Sequence, residues 1–146
     1  MVGSPDTWSA EMRVAFGIIH SSDVAAALWV HSKMMYMCWN DQYARTIVRA
    51  KHPQMYGRNG CDVFGEVPGL DIMVGDVFRT KKSFTVKAFA CVLDRNDSPG
   101  FREEAFFDFT LGPLLNAQGE CWAVLNFAVD VTQQNLLFVS LPRRVP

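Results

Sequence analysis

Apolar positions start at helical spacing, contract into short bounded runs, return to helical spacing and finish as long strand-like stretches. Trp8, Met12, Ala15, Phe16 and Ile19 form the first stripe. Ser4-Pro5-Asp6 ahead of it offers a cap, a first-turn proline and an acid for the positive end of the dipole, so an N-terminal helix is predicted to open there. Two apolar runs follow, 25–31 and 34–39, and His31-Ser32-Lys33 between them suits a hairpin turn. Both read as strands. Asn40-Asp41 caps a helix predicted to run to Lys51 with Tyr43, Ala44, Ile47 and Val48 inward, and His52-Pro53 stops it. Gly57, Gly60 and Gly65 punctuate short helical turns. Pro68-Gly69 opens a helix whose Leu70, Met73, Val74, Val77 and Phe78 share one face.

The final third predicts three long strands, at 84–93, 104–114 and 121–131. Asn96-Asp97-Ser98-Pro99-Gly100 and Asn116-Ala117-Gln118-Gly119 supply the turn chemistry between them. Hairpin links make the sheet antiparallel. Apolar residues on both faces of these strands predict that both faces are covered, one by the middle helices and the other by the N-terminal helix or a partner subunit.

Length and charge narrow the picture. The 146 residues suit one domain. A net charge of -1 leaves no electrostatic footprint for nucleic acid and no attraction to an anionic membrane surface. No apolar run is long enough to span a bilayer. Cys38, Cys61, Cys91 and Cys121 are widely spaced and make no CxxC pair, which predicts reduced thiols in a cytoplasmic protein. His20, His31 and His52 show no ligand spacing, so no metal site is expected.

Several local motifs now add up to a resemblance. Trp29 through Trp39-Asn40-Asp41-Gln42-Tyr43 resembles the strand pair leading into the first helix of PAS domains in sensor histidine kinases. Lys51-His52-Pro53-Gln54-Met55-Tyr56-Gly57-Arg58 is similar to the stretch that follows there. Phe106-Phe107-Asp108-Phe109-Thr110-Leu111-Gly112-Pro113-Leu114, with Gly119, looks like the fourth strand and its hairpin. Val129-Asp130-Val131-Thr132 resembles the closing motif, where the sheet hands over to an output helix. The resemblance spans Trp8 to Thr132. It implies a five-stranded antiparallel sheet with helices on one face and an N-terminal helix on or near the other.

On this reading residues 1–22 are a capping or dimerisation helix, 23–132 the PAS core and 133–146 the start of an output helix or a tail. Trp8, Met12, Phe16 and Ile19 are the cap or dimer contacts. Asp130, Val131 and Thr132 are the output motif. After it come Leu136, Leu137 and Val139, then Pro142. The chain is expected to be a fragment of a larger signalling protein or a small stand-alone module.

Gly57-Arg58-Asn59-Gly60-Cys61 resembles the flavin-linking motif of LOV photoreceptors, but there the cysteine directly follows the asparagine, and Gly60 intervenes here. Phe107 and Ala128 stand where that family has its flavin-binding asparagine and glutamine, and apolar side chains offer a flavin no hydrogen bond. Haem needs an axial ligand, and the predicted 70–78 helix has no histidine. Neither cofactor is expected. Glu103-Glu104 point to opposite faces of a strand, and no nucleophile motif frames Ser83, His52 or Asp62. An enzyme of cone-shaped α+β fold would need more polar groups inside the sheet than Asn126, Asp130 and Asp108.

What remains is an apolar lining with one amide: Met73, Val77, Phe78, Phe107, Phe109, Val124, Asn126 and Ala128. The expected function is a sensory or regulatory module that relays a signal or mediates association, its partners a second copy or an effector domain. The alternative is a sensor binding a small apolar molecule anchored by Asn126.

Overall fold

The computed structural model describes residues 4–96 and 101–140. Its elements are α1 (Ala10–His20), β1 (Ala26–Val30), β2 (Tyr36–Trp39), α2 (Asp41–Tyr43), α3 (Gly60–Val63), α4 (Leu70–Thr80), β3 (Phe84–Leu93), β4 (Glu103–Leu115), β5 (Cys121–Asp130) and α5 (Thr132–Ser140). All five strands join one antiparallel sheet in the order β2-β1-β5-β4-β3. The chain is α+β, and its last strand lies in the middle of the sheet. Residues 97–100 of the predicted turn, the tail from 141 and the side chains of Leu137 and Val139 lie outside the described residues.

Alternation sorts the strand residues into two cores. Trp29, Trp39, Phe107, Phe109, Leu111, Val124 and Ala128 point inward onto Tyr43, Ile47, Val63, Phe64, Val74, Val77 and Phe78. Ala26, Leu28 and Cys38 point outward onto Met12, Ala15 and Ile19 of α1. Trp8, Phe16, Trp122, Leu125 and Phe127 ring that second core, half-buried. Helix α1 therefore covers β1, β2, the adjoining part of β5 and the Leu114 end of β4. On the uncovered part, Val92 is 46% and Val129 51% exposed. The expectation that both faces are covered holds for part of the outer face.

Asn40 ties the two layers together at one point. Its Oδ1 accepts the N–H groups of Ala26 and Tyr43 at 3.1 and 3.0 Å. Its Nδ2 donates to the carbonyls of Ile19 and Val24 at 2.9 and 2.8 Å. One buried amide thus fixes the end of α1, the start of β1 and the cap of α2.

Three expectations need correction. The Ser4-Pro5-Asp6 start yields only a single 3-10 turn, Pro5–Thr7, because Trp8 turns extended at ψ 147°. Ser9 is the true cap of α1, its Oγ accepting the Met12 N–H at 3.1 Å. The first hairpin is also looser than predicted. His31 and Met35 both take positive φ, at 75° and 45°, and bracket the turn, so the strands shorten to 26–30 and 36–39.

The helix predicted over 41–51 breaks up. After α2 comes a π-turn, Ala44–Val48, then a 3-10 turn, Arg49–Lys51. The reason is competition for backbone groups. The Ala50 N–H donates to the Arg95 carbonyl at 3.2 Å instead of back along the helix. The carbonyls of Thr46 and Ile47 accept from the Arg95 guanidinium at 3.1 and 3.0 Å. The backbone strains where this ends: Arg49 sits at φ 49°, ψ -115°.

A bulge interrupts β3 between Val86 and Phe89. Ala88 there takes φ 50°, and its N–H donates to Asp108 Oδ1 at 2.8 Å. The Lys87 ammonium stands 3.7 Å from the same carboxylate.

Close packing makes one glycine obligatory. The buried Trp29 ring lies against Gly60 and stacks on Phe64 at 6.2 Å between centroids. Its indole N–H is the one buried side-chain donor without a partner among the described residues. A Cβ at position 60 would fall 1.9 Å from Trp29 Cζ3. The ring is rigid and 1% exposed and would have to shift, so Gly60→Ala should cost about 1–3 kcal/mol. Urea unfolding measures this, and an unchanged midpoint would remove the packing argument.

Candidate functional site

Behind the inner face lies a cavity of about 50 Å³. Tyr43, Ile47, Phe64, Val67, Leu70, Phe89, Cys91, Leu93, Phe107, Phe109, Leu111, Asn126 and Ala128 line it. Its polar groups are few and largely engaged. The Tyr43 hydroxyl donates to Asn126 Oδ1 at 3.0 Å. Asn126 Nδ2 reaches the Thr110 carbonyl at 3.3 Å. Burial pushes the Tyr43 phenol up and moves the Cys91 thiol up to about 11, so both are neutral at physiological pH.

Of the residues read from sequence as a pocket, Phe107, Phe109, Asn126 and Ala128 line this cavity. Val124, Val77 and Phe78 are buried in the same core but lie off the cavity wall. Met73 is half-buried and borders a separate surface cleft with Val77 and Phe84. The helix α4 face meets the sheet further along than strand alternation alone suggests. Sequence reading missed the wall formed by the π-turn and by β3, because the helix break at Ala44 and the bulge at Ala88 leave no periodic signal. Cys61 is exposed and lies off the cavity wall. His52 serves the aromatic cluster instead of a ligand: its Nδ1 accepts the Trp39 indole N–H at 3.0 Å.

A second arrangement sits at the end of the sheet. The side chain of Arg95, just beyond β3, is 1% exposed. Its Nε donates to Glu103, its Nη1 to the Thr46 and Ile47 carbonyls, and its Nη2 to Asp130 Oδ2 at 2.9 Å. Its guanidinium lies 5.4 Å from the centre of the Phe107 ring. Arg49 adds a second cation, 3.5 Å from both Glu103 and Asp130.

Asp130 divides its oxygens between two tasks. Oδ2 faces the arginines. Oδ1 accepts the Thr132 N–H at 3.0 Å, where α5 begins, and also the Thr132 hydroxyl. Thr132 Oγ1 in turn accepts the Phe106 N–H of β4 at 3.1 Å. Val131 joins β4 through its N–H to the Phe106 carbonyl at 2.8 Å. The start of α5 is thereby held by β4, β5 and the buried arginine together.

Trp8, Met12, Phe16 and Ile19 turn onto the chain's own sheet. Of the two roles expected for them, cap or dimer contact, this packing is that of a cap. The outward side of α1 instead presents Val14, 65% exposed, and Ile18, 54% exposed.

Sheet order, helical layer and strand-to-helix junction together define the PAS fold. Solved structures agree. An RNA-binding Light-Oxygen-Voltage receptor matches with TM-score 0.61 at 14% identity, over 92% of this chain and 37% of its own. The PAS domain of Bordetella pertussis BvgS matches with TM-score 0.57 at 13% identity, over 88% and 92%. The LOV domain of the Erythrobacter litoralis EL346 blue-light activated histidine kinase matches with TM-score 0.55 at 15% identity, over 77% and 99%. This chain thus spans little more than a third of the receptor's length. At these identities the likeness establishes the fold. No family model and no curated protein matches the sequence.

Asp130 generates a pH prediction. Burial alone would raise its carboxyl, but the hydrogen bonds from Thr132 and Arg95 outweigh it and hold the group below its ordinary value. A depressed folded-state value stabilises above the unfolded value and is lost as pH falls through the folded one. Thermal stability should therefore weaken as pH drops below about 4. Asp130→Asn should flatten that acid limb, and parallel limbs in both proteins would refute the assignment.

Proposed function

We propose that this chain is a regulatory PAS module that relays a signal to an effector domain and associates with a second copy of itself, with no catalytic activity of its own. The observation that carries this reading is the junction at Asp130-Val131-Thr132. There a buried charge network fixes where the sheet ends and α5 starts. A helix held so firmly at its root follows movements of the sheet and passes them on.

Two further features support the reading. Val14 and Ile18 border a groove of about 400 Å³ with Leu114, Leu115, Trp122 and Leu125. Exposed apolar surface of this kind marks contact sites. The groups in the cavity favour a binding or packing role. The cavity holds an engaged amide, a neutral phenol and a neutral thiol. Among the described residues no His, Cys, Asp and Glu cluster could hold a metal ion.

No helix among the described residues is long and apolar enough to cross a membrane. Four unpaired cysteines support a cytoplasmic setting. The near-neutral charge supports a protein partner over nucleic acid.

The apolar cavity favours one second reading, a sensor of a small apolar molecule. Such a ligand would share the Asn126 amide with Tyr43 and would have to be small. Flavin and haem stay outside the proposal, because about 50 Å³ is far below the ~300–1,000 Å³ of common ligand sites.

Native mass spectrometry with sedimentation tests both readings. The expected result is a two-chain species without visible absorption, converted to single chains by Val14→Glu with Ile18→Glu while circular dichroism is unchanged. A single chain at every concentration would overturn self-association. A bound coloured group would replace this reading with that of a cofactor sensor.

A further inference from the structure

The cavity and the α5 junction share residues, and this deepens the reading of a signalling module, on which it rests. We propose that Arg95 is the positioning residue through which filling of the cavity loosens the start of α5. Ile47 lines the cavity with its side chain and gives its carbonyl to Arg95 Nη1 at 3.0 Å. Phe107 lines the same cavity and lies under the guanidinium. An occupant at this end of the cavity meets one or both. The other side of the guanidinium holds Asp130, whose second oxygen caps Thr132. A single rigid, planar group thus touches the cavity wall on one side and the cap of α5 on the other.

The segment that meets Arg95 departs from regular helix. Its π-turn gives the Thr46 and Ile47 carbonyls to Arg95, and Arg49 next to it stores backbone strain at φ 49°. Relaxing this segment toward regular helix would return those carbonyls to the chain and withdraw them from Arg95. The guanidinium would then re-aim, and Asp130 would lose the contact that fixes its carboxylate against Thr132. Arg49, which faces Glu103 and Asp130 from the same segment, would shift with it.

Xenon under pressure is the probe, read by NMR on the full chain. Methyl shifts of Ile47, Leu93 and Leu111 report filling. The Thr132 and Asn135 amides report α5. In the parent, filling should shift both amides and speed their hydrogen exchange about fivefold, the effect of losing one cap. In Arg95→Lys the methyl shifts should persist and the amide response should vanish. An equal amide response in Arg95→Lys, or silent amides while the parent's methyls shift, would overturn the proposal and leave Arg95 a purely structural group. Should xenon stay out, Ile47→Ala perturbs the same wall, with the same expectations. Should Arg95→Lys not fold, Asp130→Asn cuts the link from the other side while keeping an oxygen for Thr132. The measurement needs neither effector nor dimer, so its failure is separate from failure of the signalling reading, which self-association tests.

Discussion

A guanidinium withdrawn from water must find acceptors for its N–H groups, and Arg95 finds them in three separate parts of the chain. Two carbonyls come from the π-turn, one carboxylate from the start of β4 and one from the end of β5. Leaving such a charge unpaired in the interior would cost several kcal/mol. The surrounding backbone therefore adapts to the arginine. That is why the chain between Asp41 and Lys51 forms no regular helix, and why Arg49 tolerates a backbone conformation suited to glycine. The same demand places Asp130 where its free oxygen can meet α5.

Around this point the fold divides its labour. The outer core under α1 is apolar, and Asn40 fastens it to the inner layer. The inner layer keeps a small void beside the Tyr43–Asn126 pair. The cavity that shares Ile47 and Phe107 with Arg95 lies on this inner side of the sheet.

Much of this was legible in the residues. The strand limits at Phe84 and Leu93, the apolar face of α4 and the inward alternation of Phe107, Phe109 and Leu111 follow from spacing alone. Asn40 was readable as a cap, although its four-way role depends on residues 21 positions away. The Asp130-Val131-Thr132 junction was legible from its order of residue types. Arg95 was not. A lone arginine after a strand, ahead of turn residues, reads as solvent-exposed, and nothing local announces that Thr46 and Ile47 lie across from it. The cavity wall was half legible for the same reason. Its sheet residues alternate visibly, whereas its π-turn residues owe their position to a long-range contact that periodicity does not encode.

The irregularity in β3 carries a last consequence. This strand forms one margin of the sheet, and a straight margin offers open hydrogen-bonding groups to any stray chain. The kink at Ala88, with Lys87 beside it, spoils that template. The molecule can therefore keep a broad, partly greasy sheet without inviting fibril growth along its rim, and contact with its own kind is steered away from endless stacking.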